Sequence, residues 1–282
     1  MSRPRELSRA ALVLIAVAGL ASGGCGGASP LLHPAHTLPE GVIEAGVGPA
    51  AQFVTGSAAT RITEARETTV VGARPAEDDA LRYRRGAAAI AALAPGLSSV
   101  LTARAGMAWG SEGGITATGH GIRIDARKAV TSGPLAFSVG IGGTGVRGRP
   151  GASGSDELAG LSVEGVKGGG LDVPLLVGWR SDAGLLAFWA GLRGGYERLG
   201  GRLCLRCDDR AGVTSAPVDW SAGRAWGGGL VGFRAGFRHV FVSLEVDGAY
   251  QRVSGRIEDG LGDVRVSGFT VAPAGAISGR FY

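Results

Sequence analysis

The residues of this chain best suited to chemistry are few, and each sits in an unpromising context. Cys204 and Cys207 form a C-x-x-C pair in "CLRC". A zinc site needs two further ligands of suitable geometry, and the adjacent Asp208 and Asp209 are poor substitutes for a second Cys/His pair. In an oxidising compartment the spacing fits a local disulfide that braces a long loop, with thiol exchange as the alternative. "GIGGTG", Gly140 to Gly145, matches the G-x-G-x-x-G dinucleotide fingerprint. That motif needs a helix N-terminus after it to hold the pyrophosphate. Here "VRGRPGASG" follows, so these read as strand glycines. No Walker sequence is present.

General-base chemistry fares no better. His33 and His36 lie in a proline-rich N-terminal linker and His239 in a tight turn. His120 shares parity with Ile122 and Ile124, so alternation predicts that it faces outward, away from any interior site. Acid groups such as Asp208 with Asp209, or Glu77 with Asp78 and Asp79, read as solvated loop charges. No enzymatic activity, metal or cofactor is expected.

The N-terminus states a destination. "MSRPRELSR" is basic, "AALVLIAVAGLA" is apolar and too short to span a bilayer, and "SGGC" follows with small residues. Residues 1–24 therefore read as a signal peptide for export. Small residues before Cys25 resemble a bacterial lipoprotein signal, which implies acylation of Cys25; Ser22 departs from that pattern, where Leu is more common. Residues 25–39, with Pro30, Pro34 and Pro39, then read as an extended tether. Without residues 1–24 the formal charge falls from +5 to +3, since three arginines and one glutamate leave. With no Lys/Arg run, nothing points to nucleic acid.

The elements that must position these residues are strands. There are 52 glycines in 282 residues with no Gly-X-Y period, and they interrupt stretches that alternate in polarity. In "HVFVSLEVDGAYQRVSG", Val240, Val242, Leu244, Val246 and Tyr250 share one face, and Glu245, Asp247 and Gln251 the other. "GLLAFWAGLRGGYE", "GIRIDARKA", "LSSVLTARAGM" and "GGGLVGFRAGF" repeat the pattern. About ten strands are predicted, near residues 40–54, 82–93, 97–109, 115–128, 134–147, 168–180, 185–197, 224–237, 240–254 and 265–282. Tight turns at 95–96, 131–133, 181–184 and 238–239 alternate with mostly long connections at 55–81, 148–167, 198–223 and 255–264, and a short one at 111–114.

This organisation resembles bacterial outer-membrane barrels, and the terminal Phe281 and Tyr282 resemble that family's C-terminal insertion signal. The resemblance implies an all-β fold: a closed, up-and-down antiparallel transmembrane β-barrel of about ten strands over residues 40–282. Its partners would be outer-membrane lipid, the barrel insertion machinery and something outside the cell. Open sheet edges are intolerable in hydrocarbon, so the first and last strands must form the seam, with Pro49 and Pro273 at bulges or bends. The charged face then lines the lumen: Glu44, Asp125, Asp172, Glu197, Glu245 and Asp247 against Arg104, Arg123, Arg127, Arg193, Arg234 and Arg280. Equal numbers predict mutual pairing and a plugged lumen, with glycines making room for arginines, and a structural or surface-interaction role through the long loops. The alternatives are a narrow solute channel and a soluble periplasmic β-sandwich lipoprotein.

Overall fold

A computed structural model of the chain describes residues 29–68, 77–148, 158, 161–205, 207–208, 213–214, 217–258 and 263–282. β1 (Ile43–Thr55) is followed by two helices, α1 (Ser57–Glu67) and α2 (Glu77–Leu93). Then come β2 (Gly96–Met107), β3 (Ser111–Thr118), β4 (Gly121–Ser132), β5 (Leu135–Gly148), β6 (Leu161–Arg180) and β7 (Leu186–Leu205). A small hairpin, β8 (Cys207–Asp208) and β9 (Val213–Thr214), precedes β10 (Val218–Phe237), β11 (Val240–Ile257) and β12 (Asp263–Phe281). All but the small hairpin join one closed antiparallel ring, in which every strand pairs with its neighbours in the chain.

The ring closes where expected, β1 running antiparallel to β12 with Ile43 opposite Phe281 and Glu44 opposite Arg280. A single ring has no second layer, so the sandwich architecture is excluded. Pro49 and Pro273 do not cause bulges. The β1–β12 register stays constant from Ile43↔Phe281 to Thr55↔Phe269, and the pairing simply lapses beside each proline, which has no N–H to donate.

Two strand predictions are corrected. Residues 82–93 are the end of α2, because "GAAAIAAL" is alanine-rich and alanine is the strongest helix former. Residues 115–128 span two strands, β3 and β4, which reverse at Gly119 and His120. The connection 55–81 is correspondingly mostly helical in its described part, Pro95 joins a helix to a strand, and the reversal expected at 111–114 occurs at Ala108–Gly110. The ring still has ten strands because one false strand offsets one that splits.

Burial alternates along the strands with a constant parity, and midway the polarity of the two faces changes sense. On β11, Val240 to Tyr250 expose their apolar side chains on even positions while Ser243 and Glu245 are buried inside. Farther on, Val253 and Ile257 point inward and Arg252, Ser254 and Arg256 outward. β7, β10 and β12 do the same: Leu199 and Leu203, Trp220 and Ala222, and Val264 and Val266 are buried beyond an outward apolar stretch. The barrel therefore has an apolar belt around a charged interior, and beyond the belt a polar exterior around an apolar interior.

Glycines make the charged half possible. A side-chain carbon at Gly142 would lie 2.3 Å from Arg123 Nη2, and one at Gly114 would lie 2.5 Å from Arg104 Nη1. Gly142→Ala is expected to cost about 1–3 kcal/mol, the usual penalty of overpacking, in urea unfolding from lipid vesicles. At the outward Gly143 an added carbon would meet only Leu171, at 3.8 Å, so Gly143→Ala should stay within about 0.5 kcal/mol of the parent. Equal effects at the two sites would contradict this packing.

Candidate functional site

The charged half of the lumen holds several clusters of ion pairs. Arg104 bonds to Glu112 and, through Nη2, to Asp125 at 2.6 Å. Arg123 bridges Asp125 and Asp172, donating to the latter through Nε at 2.8 Å and Nη2 at 3.1 Å. Arg193, on the neighbouring strand β7, donates to Asp172 at 2.7 Å and lies 5.0 Å from the Trp226 ring centre. Arg224 pairs with Glu197. Near the short-turn rim Glu44 accepts from Arg234 at 3.3 Å, Arg280 at 2.9 Å and Ser278 at 3.2 Å. Burying such charges costs several kcal/mol per ion unless each is paired and hydrogen-bonded, and the alternating arrangement supplies both.

Two described segments that do not belong to the wall fill much of the interior. Residues 29–42 run through the charged half towards the short-turn rim. Leu31 and Leu32 donate their backbone N–H groups to Glu245 at 2.7 and 3.0 Å, and Leu38 donates to Glu112 at 2.7 Å. Arg127 donates to the carbonyls of Pro34 and His36, and Arg193 to that of Ser29. Pro30, Pro34 and Pro39 bring no N–H that would need a partner. Ala35 and Leu31 pack with Ala136, Leu176, Trp189 and Leu230. The residues read as a tether thus occupy the lumen, His33 and His36 included, both buried.

The apolar half holds the α1–α2 hairpin. Every residue from Ala87 to Leu93 is buried, packed against Val163, Leu199, Leu203, Trp220, Val253, Ile257 and Val266. The helices touch closely at Gly86, where a side-chain carbon would lie 2.3 Å from Ala65 Cβ. The carbonyls at the end of α2 have no helical partners, and the wall provides them: Arg224 donates to Ala92 O at 3.0 Å and Gln52 to Leu93 O. A cation at the negative end of a helix is favourable. Two small spaces are left in the lower lumen among the described residues, about 10 Å³ beside His36 and Arg234 and about 50 Å³ beside Ser29, Arg193 and Asp247.

All twelve predicted lumen residues face inward, eleven bonded as described. Asp247 lines the larger of these two spaces. Sequence reasoning missed Glu112, fully buried between Arg104 and Arg127, because "SEGG" read as a turn. It also missed Arg224, which has the same parity as the predicted Arg234. Arg180, on the inward parity of β6, lines the lower space beside Glu44, Arg234 and Arg280 and was missed as well, so the additions are one acid and two bases. His120 is corrected: it lies in the β3–β4 turn, where strand alternation does not apply, and it is buried. Burial first, and then the Arg224 charge, lower its pKa to about 4. Cys204 lies near the end of β7 and Cys207 in β8, with their side chains outside the described ones; Cys25 also lies outside the described residues. "GIGGTG" is strand, within β5. Phe281 pairs with Ile43, and Tyr282 sets its ring edge-on to His239 at 5.6 Å. Among the described residues no group of acids, histidines and cysteines could hold a metal.

No protein-family model matches the sequence, and no curated protein matches it. Among solved structures, the fold is similar to a major outer membrane protein from Thermus thermophilus, at 11% identity over 85% of this chain and 99% of that one, with a TM-score of 0.33. It is also similar to Neisserial surface protein A, at 10% identity over 86% and 100%, with a TM-score of 0.32. A third is the CymD monoaromatic hydrocarbon channel, at 9% identity over 87% and 90%, TM-score 0.27. Likenesses this faint carry no argument about activity, and the architecture stands on its own strand register.

Glu112 is the member whose loss should hurt most. Glu112→Leu leaves Arg127 with only the two carbonyls of the inserted segment, and a loss of about 3–5 kcal/mol is expected in urea unfolding. The double variant Glu112→Leu with Arg127→Leu should recover part of that loss. No recovery would mean that the pairing does not matter.

Proposed function

We propose that this chain is an outer-membrane barrel with a closed lumen, which acts as a structural or surface-interaction protein and not as a channel. The reversal of polarity along β7, β10, β11 and β12 carries the reading. On β11 the apolar outward stretch spans ten residue steps, from Val240 to Tyr250. At about 3.4 Å per residue and a tilt of about 40°, that is a belt about 26 Å tall, close to the height of a barrel's lipid-facing band. Tyr196, Tyr250 and Phe269 rim its upper edge, all outward and exposed, where aromatic side chains favour the membrane interface. Above it the wall continues as a water-exposed cup around the helical hairpin, raised towards the cell exterior if the termini face the periplasm. Phe281 and Tyr282 serve as the insertion signal, and export by residues 1–24 supplies the route.

The two fillings support closure. A space of about 50 Å³ holds only one or two waters, and a solute path would have to pass both the network and α2. Acylation of Cys25 belongs to the proposal with a condition. Ser29 contacts Arg193, seven residues up β7 from Leu186, or about 18 Å above the rim at barrel tilt. Four residues reach at most about 14 Å, so an acyl chain in the periplasmic leaflet requires residues 29–38 to leave the lumen. The hairpin would still close the other half.

The purified full-length protein in planar bilayers is expected to give no stable unitary current. Reproducible single-channel steps, absent from a protein-free control, would favour the narrow solute channel and overturn closure.

A further inference from the structure

The outer wall just above the belt carries a second charged feature, unrelated to the lumen. Strand register sets Arg198 of β7 beside Gly223 of β10, Gly223 beside Ser254 of β11, and Ser254 beside Arg265 of β12. One row nearer the loops lie Ser221, Arg256 and Asp263, and one row nearer the belt lie Tyr196, Ala225 and Arg252. All these residues are outward, because Leu199, Ala222, Val253, Val264 and Val266 between them are buried. Small residues at the centre and long ones around them leave an open groove of about 630 Å³. Four arginines and one carboxylate line it. Asp263 is held by Arg256 at 3.4 Å, and Arg198, Arg252 and Arg265 have no ion pair among the described residues.

We propose that this groove binds the phosphate-bearing headgroup of an acylated membrane lipid, whose chains lie down the belt below. The groove is three positive charges in excess, and guanidinium forks match phosphate geometry. Two observations favour a lipid over a free anion. The groove opens onto the apolar surface, with Tyr196 and Tyr250 directly beneath Arg198 and Arg252 on the same strands and Phe269 beside Tyr250. Tyr196 also leans into it: a side-chain carbon at Gly223 would lie 2.6 Å from Tyr196 Oη. That glycine lets a phenol, apolar below and polar above, cross from belt to groove. An anion without chains would leave half of this surface unused. Basic side chains at this level lie at headgroup depth, where they attract anionic lipid.

The inference rests on the membrane reading, and the experiment separates the two. The protein and its Arg198→Gln, Arg252→Gln, Arg265→Gln triple variant are first inserted into phosphatidylcholine vesicles and checked by heat-modifiable migration on gels. They are then extracted in mild detergent and titrated with diphosphorylated lipid A, with the dephosphorylated lipid and with inorganic pyrophosphate, and bound lipid is counted by native mass spectrometry. The expected result is insertion of both proteins, with at least about tenfold weaker retention of the diphosphorylated lipid by the triple variant, as loss of charge-assisted bonds requires. The dephosphorylated lipid should be retained equally weakly by both, and pyrophosphate equimolar with the lipid should not displace it. If both proteins insert but retain the lipid equally, or if pyrophosphate displaces it, the lipid site is overturned while the membrane reading stands. If the parent protein does not insert, both are overturned.

Discussion

A closed ring of strands solves the edge problem of a sheet, and in doing so it creates an enclosed space that must be made consistent with itself. Ten strands enclose too little room for bulk water, so each guanidinium pointing inward needs an acceptor and each carboxylate a donor. The wall cannot meet that demand alone. Glu245 receives the backbone amides of Leu31 and Leu32, Glu112 that of Leu38, and Arg127 donates to Pro34 and His36. The inserted N-terminal segment thus completes the network, and the network in turn satisfies a stretch of backbone with no secondary structure of its own.

Beyond the belt the same strands pose the opposite problem. There the exterior is polar, so the apolar side chains turn inward and need an apolar filling, which the α1–α2 hairpin provides through Ala87 to Leu93. The transition between the two regimes falls at the height where Arg224 and Gln52 cap the end of α2. Arg224 also pairs with Glu197, so a single guanidinium joins the charged filling to the apolar one. One continuous strand carries both regimes as a change in which parity is apolar.

Most of the ring was legible because alternation sustained over about ten residues, as on β11, has the period of a strand and not that of a helix. The seam was legible because closure admits only one partner for each terminal strand. Three things were hidden. Alanine has no polarity, so "GAAAIAAL" after alternating Arg82, Tyr83 and Arg84 imitated a strand although its propensity is helical. Glu112 stood between a serine and two glycines and looked like part of a turn. The occupied lumen was hidden most completely. The partners of Leu31 and Leu38 lie 214 and 74 residues away in sequence, and a proline-rich segment looks the same from its sequence whether it hangs in solvent or threads a barrel. The reversal of polarity was visible at Leu199 and Leu203, or at Val253 and Ile257, but most of those residues fell at or beyond the predicted strand ends.

The proposed role of the barrel depends above all on the outward apolar face meeting lipid. Single nitroxide labels in a cysteine-free background at Val242, Leu244, Val246, Arg252, Ser254 and Arg256 of β11, in vesicles, test it directly. The first three should be accessible to oxygen and shielded from a nickel chelate, and the last three should show the reverse, with the change between residues 246 and 252. If the first three were shielded from both probes, as in a core packed by protein, or open to the chelate, the belt would not be a lipid-facing surface.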